Sequence, residues 1–231
     1  ATLDGNLDKL NLDLEAQAYK STFIWNDGSE SKKLALDKVN FKTHVALTGG
    51  ESTFAIPLQE LTLWSDGARL AAQGDLQYLP DKSTFAYDVD LSLDGFQLAR
   101  ALQDLPLGQS VADWQKVSGT DGVLNARLHL SGEGNNPLMS GGLGMRVVNS
   151  YDTTLRDVKA DVQAQLTNGN PTVHLANIKG SVAQAPFTAD LTLDGATNLW
   201  TAKADVTDLP SFELLGFSED LLQTDNIDRD T

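Results

Sequence analysis

Apolar and polar residues alternate with a period of two through most of this 231-residue chain. In the first such run, Leu10, Leu12 and Leu14 alternate with Asn11 and Asp13. Equivalent runs begin near residues 39, 70, 85, 124, 158, 187 and 200. Because successive side chains of a strand point to opposite faces of a sheet, the pattern predicts many strands, each with one apolar and one polar face.

Dipeptides of Asp or Asn followed by Gly separate many of these runs. Such pairs readily adopt the positive φ angles of tight hairpin turns, so they predict an antiparallel meander. The turns expected on this basis are Asp27-Gly28, Asp66-Gly67, Asp121-Gly122, Asn168-Gly169 and Asp194-Gly195.

Three kinds of stretch depart from simple alternation. Pro57 lacks a backbone N–H and predicts an edge position or a bulge. The glycine-rich residues 131–147 predict a long hairpin loop or bulge. Residues 98–105 and 210–216 have the spacing of short amphipathic helices, and residues 110–116 that of a further turn. The predicted fold is therefore mainly β, with a curved antiparallel sheet shaped as a groove, an open barrel or a sandwich, plus one or two short amphipathic helices.

The domain organisation follows from a weak internal repeat. Residues 87–105 and 202–221 both read as an alternating strand, a turn and a short apolar helix, which allows two similar halves, about 1–115 and 116–217. We favour one continuous sheet, and therefore a single elongated domain over residues 1–217, followed by a frayed acidic tail at 218–231. Because the chain begins at Ala1 without a methionine, we expect it to be part of a longer protein.

Composition argues against several functions. The net charge of −15 disfavours nucleic acids and anionic membrane surfaces as partners. The chain contains no cysteine, which excludes disulfides, zinc thiolates and cysteine nucleophiles. No apolar run approaches the ~20 residues that span a bilayer.

A search for catalytic and metal-binding motifs also favours a non-enzymatic role. Residues 90–95 and 190–195 match the first half of an EF-hand loop, but Ala101 and Thr201 occupy the place of its essential Glu. His44, His129 and His174 fall on the polar phase of their strands without metal-ligand spacing. Nucleophile-elbow, Walker and dinucleotide-binding motifs are missing. We therefore predict no catalytic residue, no metal and no cofactor.

The pattern of residues 122–147 and 153–195 resembles that of the AsmA-like and TamB-like superfamily of Gram-negative envelope proteins. Both have a strand ending in Leu-x-Gly, a short polar loop with proline, a glycine-rich strand and then further strands ending in glycine. The similarity covers residues 120–207, and residues 34–105 more loosely.

This resemblance implies a periplasmic segment of a protein that is attached to the inner membrane only through a segment outside this chain. A curved sheet would shield phospholipid acyl chains on their way to the outer membrane and contribute to envelope assembly. Its partners would be phospholipid or another acyl-chain ligand, together with envelope proteins. The residues expected to line the groove are Leu12, Leu14, Phe41, Val45, Phe85, Val89, Leu91, Leu124, Leu128, Leu130, Val158, Val162, Phe187, Leu191, Leu193 and Trp200.

Two alternatives to lipid shielding remain open from the sequence. One is an acidic extracellular glycan-acting enzyme, although no motif supports it. The other is a β-rich module that holds no lipid. The apolar faces can close on each other as a core filled by side chains, which would leave no room for lipid. The chain would then serve as a β-rich scaffold or protein-binding module of the envelope or cell surface, recruiting partner strands at an exposed sheet edge.

Overall fold

The computed structural model describes residues 1–5, 9–26, 31–48, 54–99, 118–151, 153–167, 170–197 and 199–207. Twelve strands make up nearly all of these residues, and a single 3-10 turn at Pro80–Lys82 joins the fifth strand to the sixth. The strands are β1 (Thr2–Gly5), β2 (Lys9–Asn26), β3 (Ser31–Thr48), β4 (Phe54–Ser65), β5 (Ala68–Leu79), β6 (Thr84–Gln97), β7 (Asp121–Glu133), β8 (Asn136–Ser150), β9 (Thr153–Thr167), β10 (Asn170–Val182), β11 (Ala185–Asp194) and β12 (Leu199–Val206).

All twelve strands belong to one antiparallel sheet in which each strand pairs with its neighbours in the chain. The mainly β fold and the curved antiparallel sheet predicted from the sequence are confirmed, and the sheet is open, with β1 and β12 at its two edges. Both halves of the chain share this sheet, because Leu91 on β6 pairs with Leu128 on β7. Leu98 and Ala99 are helical, but the rest of the predicted helices and the acidic tail lie outside the described residues.

The register places apolar residues on one face of the sheet from β2 to β12. Consecutive cross-strand partners at one level form a row of uncharged residues that crosses eleven strands. The row consists of Ala16, Phe41, Leu61, Ala72, Leu91, Leu128, Gly141, Val162, Leu175, Leu191 and Ala202. We call the face that carries this row the apolar face, and the opposite one the polar face.

Bulges keep the apolar side chains on this face. In β4, β6 and β10 the register shifts between residues three apart, namely Leu58 and Leu61, Leu93 and Phe96, and Leu175 and Ile178. Each bulge accommodates one extra residue, so the apolar residue after the bulge lies on the same face as the one before it. Bulges also increase the local twist and bend of a strand.

Side chains from neighbouring strands stabilise two of these bulges. Gly95 has a φ of +69°, and its N–H donates to Oδ1 of Asn125 at 2.9 Å. The backbone N–H of Asn177, which has a φ of +52°, donates to Oδ1 of Asp190 at 3.1 Å. The exposed donors left by the irregular ladder are therefore paired.

Small aliphatic residues on the apolar face are buried by larger residues beside them. Leu58, Ala72 and Val89 form a buried cluster, against which Phe41, Leu61, Leu76, Tyr87 and Leu91 pack. Val158, Ala160 and Val162 form a second buried group along β9. Within the described ranges no second sheet covers this face, so the packing is lateral and within one layer.

The predicted turns have mixed outcomes. Asp66-Gly67 forms the β4–β5 turn with φ angles of +49° and +80°, as expected. Asp121-Gly122 does not form a turn, because Asp121 begins β7 and pairs with Asn149. Residues 27–30 and 168–169 lie outside the described residues.

The long hairpin loop predicted over residues 131–147 is wrong, whereas its alternative, a bulge, is found at the end of this stretch, where the β7–β8 register shifts between Met145 and Val148. Residues 136–147 belong to β8, and only residues 134 and 135 separate it from β7. The glycines are strand residues: a side chain at Gly141 would collide with the carbonyl oxygen of Arg127, so glycine permits the close approach of β8 to β7. Pro57 lies next to the β4 bulge, and in the described ladder β3–β4 pairing ends at Thr43 and Leu58, so Pro57 disrupts no β3 partner.

Candidate functional site

The strand register brings all the residues predicted to line a groove onto the apolar face. Leu12 pairs with Val45, Leu91 with Leu128, and Leu193 with Trp200. The remaining ones follow by alternation or by direct pairing with other members of the face, as Val89 does with Leu130. These residues come from seven strands and all lie on the apolar face.

Their exposure differs, and the difference separates side chains that support the face from those that a ligand can touch. Val89, Val158 and Val162 are each only 6% exposed and act as packing residues. Phe85 and Trp200 are 44% and 60% exposed, and the other predicted residues are half-buried. The accessible part of the face is thus formed mainly by leucines and aromatic rings.

An aromatic contact positions Phe85 near the start of β6. Its ring lies 5.2 Å from the ring of Tyr78, its partner on β5, with an angle of 55° between the planes. Such tilted contacts are favourable for aromatic pairs. The ring is therefore held in place while almost half of its surface remains open.

Charged groups are concentrated on the polar face, where they pair across strands. Asp94 accepts from Nη2 of Arg127 at 2.8 Å and lies 3.5 Å from Nη1 of Arg69. Lys38 places its Nζ 4.9 Å from the ring centre of Trp64 and 5.9 Å from that of Tyr19. This separation leaves the central row of the apolar face without a formal charge.

The histidines lie on the polar face, as their phase in the sequence predicts. Nδ1 of His44 is 2.6 Å from Oδ1 of Asp13. Nδ1 of His129 is 3.0 Å from Oδ1 of Asp90, and Nε2 is 3.7 Å from Asp88. The hydrogen bond to Asp90 raises the pKa of His129, with smaller electrostatic contributions from Asp88 and Asp90 opposed by desolvation.

The two segments with partial EF-hand spacing are strands and not metal loops. Asp90 and Asp94 lie on β6, bonded to His129 and Arg127 respectively. Oδ1 of Asp194 accepts the backbone N–H of Ala196 in the turn after β11. In the described ranges, no three His, Asp or Glu side chains are grouped as ligands for a metal ion.

A concave region of about 600 Å³ lies over β4–β8. Its lining includes Arg69, Gln73, Asp90, Arg127 and His129, and the register puts all five side chains on the polar face. Sequence reasoning missed it, because its floor is made of short side chains that become neighbours only through the register. The only sequence signal for this surface is the alternation, which predicts that the polar residues of each strand lie on one face.

Comparison with protein-family models, with curated proteins and with solved structures found no match. The resemblance to the AsmA-like and TamB-like superfamily therefore stays a prediction from the sequence pattern. In the part of the chain that the structure describes, no helix combines the length and the hydropathy needed to cross a bilayer.

Proposed function

We propose that this chain binds the acyl chains of phospholipids along its apolar face, without catalysing a reaction. The observation that carries the proposal is the uncharged row that runs from Ala16 on β2 to Ala202 on β12. Neighbouring residues of this row are ~4.8 Å apart from strand to strand, so the row, which we call the lipid lane, is about 50 Å long. Large solvent-exposed apolar surfaces of this kind are typical of ligand-binding or partner-binding sites.

The energetics favour an acyl chain as the occupant. Transfer of each CH₂ group from water to an apolar surface is worth about 0.8 kcal/mol when burial is complete. Leu128, Leu175 and Leu191 along the row are half-buried and retain surface for such contacts. The head group would remain in solvent, because the guanidinium groups of Arg69 and Arg127 belong to the opposite face.

The sequence resemblance supplies the cellular setting for this proposal. As a periplasmic segment of an AsmA-like protein anchored in the inner membrane, the sheet would shield acyl chains from water between the two membranes. Delivery towards the outer membrane and a contribution to envelope assembly would follow. The net charge of −15 is compatible with a face that attracts lipid through its tails and not through anionic head groups.

A fatty-acid binding assay on matched variants tests the proposal. Leu191 lies on the apolar face, and the next residue, Thr192, lies on the polar face opposite His174 and Thr201. We expect Leu191→Glu to weaken binding of a fluorescent fatty acid by about tenfold or more, because it places a charge in the lane. Thr192→Glu should bind like the unchanged protein.

Equal binding by both variants would place the ligand on another surface. Mass spectrometry of organic extracts from the purified protein provides an independent measurement, in which phospholipid is expected. A protein that is free of lipid and does not bind the fluorescent fatty acid would contradict the proposal.

A second candidate function is protein binding at the open edge. All eight residues of β12 are exposed, and β12 pairs only with β11 in the described sheet. An edge strand of this kind can recruit an extended segment of an envelope protein by β-augmentation. Co-purification of a protein that is lost in the variant Ala202→Pro, from a sample that contains no lipid, would favour this function.

A further inference from the structure

The polar face contains a furrow that runs across the strands. Its floor is formed by Thr62, Ala71 and Ser92, which are consecutive cross-strand partners on β4, β5 and β6. All three side chains are short, and Thr62 is only 2% exposed. The next partner, Arg127 on β7, closes this row.

Longer side chains rise on both sides of the floor. On one side, Gln73 pairs with Asp90, Asp90 with His129, and His129 with Ser140. Arg69 lies four residues from Gln73 on β5, about 13 Å along the strand, and lines the opposite side. Across β4–β8 the furrow is about 19 Å long, and the concavity measures about 600 Å³.

A hydrogen bond and an ion pair connect the two arginines of the furrow to Asp94. Nη2 of Arg127 donates to Asp94 at 2.8 Å, and Nη1 of Arg69 lies 3.5 Å from the same carboxylate. Thr62 donates its hydroxyl to Oε1 of Glu60 at 3.3 Å. These contacts restrict the conformations of the side chains involved, which lowers part of the entropic cost of binding.

Several polar groups in the furrow are available to a ligand. Within the described part of the chain, Gln73, Ser92 and Ser140 make no side-chain hydrogen bond, although all three line the concavity. The lining thus offers amide and hydroxyl groups that both donate and accept, besides its charged groups.

The charges of the furrow favour a neutral ligand. The guanidinium groups of Arg69 and Arg127 face the carboxylates of Glu60, Asp90 and Asp94, which leaves the furrow close to neutral with one net negative charge, while the whole chain carries −15. An anionic ligand is repelled by the net charge, and a cationic one meets two guanidinium groups. A peptide gains little here, because the interior strands already use their backbone groups in the sheet and cannot accept a further strand.

We propose that the furrow over Thr62, Ala71 and Ser92 binds a segment of a neutral, hydroxyl-rich chain, that is, an oligosaccharide. Sugar hydroxyls would donate to Glu60 and Asp90 and accept from Arg127 and Gln73. A lining with both donors and acceptors therefore satisfies both hydrogen-bonding roles of a hydroxyl group. The site lies on the face opposite the proposed lipid lane and does not depend on it.

Titration of the full chain with cellohexaose, maltohexaose and chitohexaose tests this proposal. We expect at least one of the three sugars to bind in calorimetry and to shift the amide NMR signals of β4–β8. Ala71→Phe fills the floor and should weaken that binding by about tenfold or more. Ala86→Phe is the matched control, because Ala86 lies on the polar face of β6 between Gln77 and Glu133, outside the furrow.

The proposal is overturned if none of the three sugars shifts the signals of β4–β8, a measurement on the unchanged protein that does not depend on how Ala71→Phe folds. Unchanged binding by Ala71→Phe, or an equal loss in Ala86→Phe, would also overturn it, as would tighter binding of an acidic or basic hexapeptide at the same signals. Sugar binding that persists in Leu191→Glu would show that the furrow and the lipid lane are separate sites. Sugar binding and lipid binding are measured independently, so the loss of one does not prevent measurement of the other.

Discussion

Trp200 on β12 lies opposite Leu193 on β11 at the open edge of the apolar face, with 60% of its surface exposed. Trp64 lies on the polar face, where it pairs with Lys38 and Arg69. The two indoles therefore report on opposite faces of the same sheet. This placement allows the lipid proposal to be tested by the position of the ligand as well as by its affinity.

We predict that a fatty acid with a spin label on its chain quenches the fluorescence of Trp200 and not that of Trp64. Two variants isolate the signals: both carry Trp25→Phe and Trp114→Phe, and each retains one of the two remaining tryptophans. Quenching requires close contact, so only the indole on the occupied face should respond. Stronger quenching of Trp64 than of Trp200 would move the acyl chain to the polar face.

A second prediction concerns the glycines of β8. Gly141 has a φ of +148°, and a Cβ there would collide with the carbonyl oxygen of Arg127. A Cβ on Gly142 would meet only the carbonyl oxygen of Ala160 at 3.8 Å, an ordinary contact. Gly141→Ala should therefore lower the free energy of unfolding by about 1–3 kcal/mol.

Gly142→Ala is the control and should be neutral or slightly stabilising, by up to about 1 kcal/mol, because it restricts the unfolded chain. Urea denaturation of the two variants measures the difference. Equal stability of the two would mean that β7 and β8 do not approach as closely at Gly141 as the structure has them.

Period-two alternation predicts eight of the twelve strands and the face on which their apolar side chains lie; these strands are β2, β3, β5, β6, β7, β9, β11 and β12. Leu124, Leu128 and Leu130 share the apolar face, as their spacing requires. The same reasoning failed where glycine lies inside a strand, because Gly141 and Gly144 resemble loop residues until their neighbours are known. Glycine within a strand often marks the close approach of another backbone, which a single sequence does not reveal.

The bulges carried a sequence signal that simple alternation obscures. Leu58 and Leu61, Leu93 and Phe96, and Leu175 and Ile178 are each three residues apart, which ends one alternating run and starts another. The polar furrow had no such signal. Thr62, Ala71 and Ser92 are distant from each other in the chain and become neighbours only through pairing across β4, β5 and β6.

A third prediction is that His129 titrates above the ordinary histidine value in the folded protein. The hydrogen bond to Asp90 raises its pKa, and Asp88 adds to the effect through its charge. From β8 the residue facing His129 is Ser140, which carries no charge. NMR titration of the His129 ring should give a pKa above 6.5, and Asp90→Asn should lower it.

The sign of the stability effect follows from this direction. Because the folded pKa is raised, the stabilising contribution of His129 is present below the unfolded pKa of about 6.5 and is lost as the pH rises through the folded pKa. The difference in Tm between the unchanged protein and Asp90→Asn should therefore be larger near pH 5.5 than near pH 8.5. Asp205→Asn, an exposed change on β12, should show no such trend, and a difference that grows with pH would contradict the assignment.

The last prediction concerns the bulge in β10. Asn177 adopts a φ of +52°, donates its backbone N–H to Asp190, and donates from Nδ2 to Oδ2 of Asp161 at 2.8 Å. Asn177→Ala loses the side-chain bond and strains the left-handed backbone, so it should cost about 1–2 kcal/mol in the free energy of unfolding. Asn177→Gly avoids the backbone strain but also lacks the side-chain bond, so its stability should lie between those of the unchanged protein and Asn177→Ala. As a control, Lys179→Ala should change stability by no more than about 0.5 kcal/mol.

Deletion of Asn177 should remove the bulge without turning the rest of β10 over. Leu175 and Ile178 are three residues apart, whereas their partners Leu191 and Ala189 are two apart. Without Asn177 the two spacings are equal, so Ile178 stays on the apolar face and the register beyond it is kept. The deletion should therefore still unfold cooperatively in denaturant, with a loss of stability similar to that of Asn177→Ala. Loss of cooperative unfolding would show that the sheet needs the local twist and bend that the bulge provides.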